Sequence, residues 1–190
     1  MFRKTLILAT LFATLLTPLS TALAKHKCNT APYTNVMPSH VGLTFGMSAK
    51  NAKAALERMY GSRALVLNNG SEIKVKFFNH KQKIFDEIIL ITMNDVVIKM
   101  LWSYSNKFQD SLGGPRSSLE TILGKLKEKI GVFTKADEVE KGAKFLWDTK
   151  DDLYLVLLGR DPYTIVLGFT CETLESQLKK KAQNSANLGF

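Results

Sequence analysis

The stretch SAKNAKAALERMYG, residues 48–61, decides the fold when set beside SSLETILGKLKEKIG, residues 117–131. In the first, Ser48 is a good helix N-cap, Ala49, Ala52, Leu56 and Met59 recur on one face, and Gly61 stands where a helix stops. In the second, Ser117 and Glu120 form a capping-box sequence, and Leu119, Ile122, Leu123, Leu126 and Ile130 make a clean amphipathic stripe closed by Gly131. A shift of about 70 residues lays Ser48 on Ser118, Ala52 on Ile122, Leu56 on Leu126, Tyr60-Gly61 on Ile130-Gly131 and Phe77 on Trp147. The chain reads as one design used twice.

Beyond each helix the chain reads as strand. Ala64 to Leu67 and Ile73 to Phe78 are separated by the turn sequence Asn68-Asn69-Gly70, and Ile73, Val75 and Phe77 alternate with Glu72, Lys74 and Lys76. Ile84 to Met93 and Val96 to Tyr104 are joined by Asn94-Asp95, which suits a two-residue hairpin. Ile88 to Ile91 and Val96-Val97 are apolar enough to predict central strands covered on both faces. Phe108 to Arg116, with Gly113-Gly114-Pro115, is the main internal break. After the second helix and a polar link, Lys144 to Trp147, Leu153 to Leu158 and Tyr163 to Cys171 predict three more strands, one fewer than in the first half. Glu172 to Gln183 predicts a closing helix docked through Leu174 and Leu178, with a Glu175–Lys179 pair.

The expected fold class is therefore α+β. Two tandem helix-plus-antiparallel-meander units form one sheet-and-helix body with a C-terminal helix. The expected boundaries are 1–24 for a signal peptide, 25–41 for a leader, 42–112 and 113–171 for the two units, and 172–190 for the last helix and a fraying tail.

Residues 1–24 carry the layout of a secretory signal: Arg3-Lys4, an apolar run from Leu6 to Leu16, and small residues ending at Ala22-Leu23-Ala24. The apolar run is about 11 residues, short of the roughly 20 a spanning helix needs. The expectation is export to the periplasm or beyond, with a soluble product cleaved near Ala24. In that oxidising setting the two cysteines, Cys28 and Cys171, read as one structural disulfide closing nearly the whole mature chain.

The net charge of +9 would ordinarily suggest nucleic acid. An export signal and dispersed lysines argue against it and point to a solvated basic surface. The dense run Lys179-Lys180-Lys181 is the candidate contact for an anionic lipid or lipopolysaccharide.

Gly42-Leu43-Thr44-Phe45-Gly46-Met47-Ser48, with the helix ending Leu56-Glu57-Arg58-Met59-Tyr60-Gly61, resembles the opening of small exported bacterial modules. Units of this kind occur in the SmpA/OmlA (BamE-like) group and in β-lactamase-inhibitor-like folds. The resemblance implies helices on one face of an antiparallel sheet and non-catalytic binding or envelope-assembly roles. It carries over no functional residue. Cys28 follows Lys25-His26-Lys27 rather than small residues, so the lipid attachment of that group is not matched.

The chain holds no G-x-S-x-G, H-E-x-x-H, Walker or Rossmann sequence. His80, near Asp86 and Glu87, is the candidate for an enzymatic alternative, and an ordinary loop histidine is the plainer reading. Asp148, Asp151 and Asp152 lack the ligand spacing of a calcium loop and read as a polar turn. No metal or cofactor is expected. Trp102 and Tyr104 share a parity on one predicted strand and are the candidate binding surface, if that sheet face is open. The expected function is non-catalytic recognition of a protein or envelope component across a sheet face. The alternative is a carrier or sensor of an apolar or anionic lipid-like ligand held between helices and sheet.

Overall fold

A computed structural model describes Cys28 and residues 42–78, 84–139, 142–148, 153–160 and 164–187. The signal peptide, the leader apart from Cys28, His80, Asp151, Asp152 and Tyr163 lie outside the described residues.

Ser48 caps α1 (Ala49–Tyr60) as its residue type requires, its hydroxyl accepting from the Asn51 N–H at 3.3 Å. Gly61, at φ 49°, ends the helix by donating its N–H to the Glu57 carbonyl. The strands β1 (Ala64–Asn68), β2 (Glu72–Phe77), β3 (Phe85–Met93) and β4 (Val96–Tyr104) then form a meander. Asn94 and Asp95 both take positive φ, the conformation a tight β3–β4 hairpin demands and their side chains tolerate. Next come α2 (Asn106–Ser111) and α3 (Pro115–Ile130). The second meander is β5 (Lys135–Val139), β6 (Gly142–Asp148), β7 (Leu153–Arg160) and β8 (Thr164–Cys171), and α4 (Glu172–Asn187) comes directly after it.

All eight strands form one antiparallel sheet in the order β1-β2-β3-β4-β8-β7-β6-β5. The two meanders thus meet at β4 and β8 with their first strands on opposite edges, the arrangement a two-fold operation about the β4–β8 seam would give. One row of side chains crosses the sheet in register: Val66, Val75, Ile88, Trp102, Leu167, Leu157, Phe145, Ala136. A second runs Ile73, Leu90, Met100, Phe169. The central members of both rows are buried and form the core with α1 and α3. Trp102 and Phe169, from different meanders, meet edge to face at 5.3 Å across the seam.

The repeat extends to contacts. Phe77 packs against Tyr60 at the end of α1, with centroids 4.8 Å apart, and Trp147 donates from Nε1 to the Gly131 carbonyl at the end of α3, at 2.9 Å. Gly131 closes α3 by donating to the Lys127 carbonyl, as Gly61 does to Glu57 in α1. The alanine face of α1 (Ala49, Ala52, Ala55) is buried with Leu56, and small side chains there let the helix lie close to the sheet.

Four expectations need correction. The break at 108–116 holds α2, a helix too short to show periodicity, which starts where Ser105 accepts from the Phe108 N–H at 3.1 Å. The polar link before residue 144 contains β5, so the second meander has four strands, not three. As an edge strand with one neighbour, β5 needs no apolar alternation, and its Lys135, Asp137 and Glu138 suit a sheet margin. The Ser117/Glu120 capping box does not form: α3 begins earlier, at Pro115 after Gly114, and Glu120 pairs with Arg116 at 3.3 Å. Ser118, laid on the N-cap Ser48, is instead buried within the helix, its hydroxyl 2.7 Å from the Gly114 carbonyl and 3.0 Å from that of Gln109. Finally, β3 is not covered equally on both faces. Ile88 and Leu90 are buried while Ile89 and Ile91 are only half-buried, so one side is core and the other is partly wet.

Cys28 and Cys171 are joined, with Cα atoms 5.8 Å apart and both residues buried. The bond sits where β8 ends beside β4. There the uncovered start of β4 takes the segment before α1: Gly46 donates to the Val97 carbonyl at 3.0 Å and Val97 to the Met47 carbonyl at 2.9 Å. In the chain-entropy view, closing so long a loop stabilises by about 5 kcal/mol at most. The expected Glu175–Lys179 pair forms at 2.8 Å, and Glu175 also reaches Lys99 at 3.4 Å. Lys99 belongs to the side of β4 opposite Met100 and Trp102, so the pair ties α4 to that second side.

Candidate functional site

The end of β4 carries Tyr104, the start of β3 carries Phe85, and the two are paired in register. Strict alternation back from Ile88 would put Phe85 on the second side with Glu87. A bulge between Phe85 and Glu87, with Asp86 as the extra residue, turns Phe85 to the side of Tyr104. Their rings lie 5.0 Å apart, and Phe108 of α2 stacks on Tyr104 at 5.5 Å. The short helix is held in place by its own polar contacts. Gln109 Nε2 donates to the Tyr104 carbonyl at 3.0 Å, and the Ser118 hydroxyl of α3 reaches the Gln109 carbonyl.

These elements line a half-open cavity of about 400 Å³ between α2, α3 and the sheet. Ile84, Phe85, Tyr104, Phe108, Leu112, Ile122, Leu126 and Leu167 give it an apolar interior, and Thr121, Lys125 and Lys129 of α3 complete it. That volume falls in the range of small-molecule sites. Burial pushes the Tyr104 phenol up to about 12, so it stays neutral far above physiological pH. Among the described residues, no group of three or more His, Cys, Asp or Glu side chains is placed to hold a metal ion.

The sequence candidates are distributed differently. Trp102 and Tyr104 do share a side of β4, but it is the side covered by the helices. Trp102 is fully buried, a seam residue and no binding surface, because its partners Ile88 and Leu167 belong to the core row. Tyr104, one step beyond the helix cover, is half-buried and lines the cavity. Lys179, Lys180 and Lys181 are exposed on α4, with Lys179 engaged by Glu175, whose carboxyl is held below the usual range chiefly by that hydrogen bond. None of the three lines the cavity. Sequence reasoning missed Phe85, Phe108, Lys125 and Lys129 as site residues. The i, i+4 spacing of Thr121, Lys125 and Lys129 places the two lysines on one row beside the apolar stripe of α3, but nothing in it marks that row as a site, and no local signal points to Phe85 or Phe108.

Neither a protein-family model nor a curated protein matches the chain. The resemblance of residues 42–61 to the SmpA/OmlA (BamE-like) group is therefore without support from a family match. A crystal structure of a DUF4309 family protein, YjgB from Bacillus subtilis subsp. subtilis strain 168, aligns over 69% of this chain and 83% of its own at 16% identity, with a TM-score of 0.36. Among the described residues no helix is long and apolar enough to cross a membrane.

Proposed function

We propose that this chain is an exported, non-catalytic binding protein that holds a small apolar ligand in the cavity beneath α3. The observation that carries this reading is the cavity of about 400 Å³, framed by Phe85, Tyr104, Phe108, Ile122, Leu126 and Leu167 on elements fixed by the core. The export signature of residues 1–24 and the Cys28–Cys171 bond support an extracytoplasmic setting. An apolar interior with few polar groups suits binding better than chemistry.

A neutral fluorescent probe such as 1-aminoanthracene should bind the oxidised protein with enhanced emission. Thr121→Trp, which fills the cavity from α3, should abolish that binding while the thermal midpoint and far-ultraviolet spectrum stay near wild type. Failure of the unmodified protein to take up any neutral apolar probe would rule the reading out.

A second reading, recognition of a protein or envelope component across the other side of the sheet, rests on a separate observation. There Ile89, Ile91 and Leu101 are half-buried beside the Glu72–Lys74–Glu87 ion pairs, a mixed surface of the kind partners cover. Charge reversal at Lys74 would weaken such a partner and leave probe uptake unchanged.

A further inference from the structure

The cavity has a polarity, and its direction is set by α3. Ile122 and Leu126, one turn apart, are buried against the sheet. The neighbouring row on the same helix, Thr121, Lys125 and Lys129, also lines the cavity, and both lysines are exposed. The lining therefore runs from apolar at the sheet to cationic at solvent. Among the described residues, the charged members of the lining are the two lysines. The acids Asp86 of the β3 bulge, Asp110 of α2 and Glu128 of α3 are exposed and are not among the described lining residues, and Asp86 has an interaction of its own within the chain.

Like charges at i and i+4 repel on a helix surface. A free-standing α3 would gain by pairing that row with acids, as it does at Arg116 and Glu120, where the ion pair is 3.3 Å. Beside the cavity it does not place an acid in the row. The lysine stems can cover apolar ligand surface while their ammonium groups stay at the mouth. The Tyr104 phenol, kept neutral by burial, adds no negative charge from within. Lys129 has an interaction of its own within the chain, so the main contact falls to Lys125, with Lys129 one turn further.

We propose that the cavity takes an amphiphilic monoanion, its apolar body against Phe85, Tyr104 and Leu167 and its anionic group at the mouth beside Lys125. This rests on the cavity being a binding site, and the test separates the two claims. Displacement of 1-aminoanthracene from the oxidised protein is measured with three chains of equal length, decanoate, decanol and decyltrimethylammonium, below their aggregation concentrations. Decanoate should displace the probe at about tenfold lower concentration than decanol, the scale of one charge-assisted contact. The cation should be the weakest. In the pair Lys125→Met/Lys129→Met the decanoate advantage should fall to about onefold while decanol is unchanged, and Lys125→Gln should give a partial loss. Added salt should shrink the advantage in the unmodified protein only.

Equal displacement by decanoate and decanol, or tightest displacement by the cation, would overturn the charge assignment and leave the cavity standing. An advantage that survives in the double variant overturns the role of the lysines. Absence of probe binding altogether removes the cavity reading itself.

Discussion

α1 meets the sheet through Ala49, Ala52, Ala55 and Leu56, whereas α3 presents Ile122 and Leu126 together with a buried serine. Each helix heads a four-stranded meander, and each ends on a glycine against an aromatic residue of the second strand. Small alanine side chains let α1 lie close to the sheet. α3 carries longer side chains and begins beside α2, which has no counterpart before α1. There the segment Gly46–Ser48 lies along β4 instead. The two helix-plus-meander units thus differ in what precedes the helix and in the side chains it presents, and the cavity described above lies beside α3. The helix's side chains and its lead-in, rather than the sheet, set the two units apart.

The strongest way to break the comparison is at the seam the two copies share. Trp102→Ala removes a fully buried indole from the Phe169 contact and should cost about 3–5 kcal/mol in denaturant unfolding. A cost below about 1 kcal/mol would mean the halves do not depend on that contact. Next, Cys28→Ser with Cys171→Ser should lower stability by about 2–4 kcal/mol with little change in the folded far-ultraviolet spectrum.

Ala52→Leu tests the close approach of α1, since overpacking a buried position should cost about 1–3 kcal/mol. Thr121→Leu on α3 extends a half-buried residue into open space and should change stability by less than about 1 kcal/mol. Equal costs at the two positions would erase the distinction between the copies.

The smallest effect concerns α4, which belongs to neither repeat. The folded carboxyl of Glu175 is held low, first by the hydrogen bond from Lys179, with Lys99 adding to it. Its stabilisation is therefore complete above the ordinary carboxylate range and is lost as pH falls through the lowered folded value. Glu175→Gln should remove a few tenths to about 1 kcal/mol at neutral pH and flatten that acid limb in a thermal-shift series.

The regular elements were legible because their chemistry is local. Ser48, Gly61 and the spacing of Ala49, Ala52 and Leu56 fix α1 within the residues that form it, and Asn94-Asp95 fixes the β3–β4 hairpin. β5 was hidden because an edge strand of charged residues carries no apolar period. The burial of Trp102 was hidden because parity says which residues share a side and not which side the helices cover. The site was least legible of all. Phe85 enters it through a bulge, and the cavity exists only in the distance between α3 and the sheet. Two lysines beside an apolar stripe look, in one dimension, like any solvated helix edge.

The Cys28–Cys171 bond spans 143 residues and makes most of the molecule a covalent ring. The link between the two repeats lies inside that ring, at Leu112-Gly113-Gly114, where both glycines hold positive φ. A protease cut there would leave the repeats joined twice over, by the β4–β8 strand pairing and by the sulfur bridge. The nicked protein should migrate as one species without reductant and as two fragments with it, and the half that carries α3 would not be lost on cleavage.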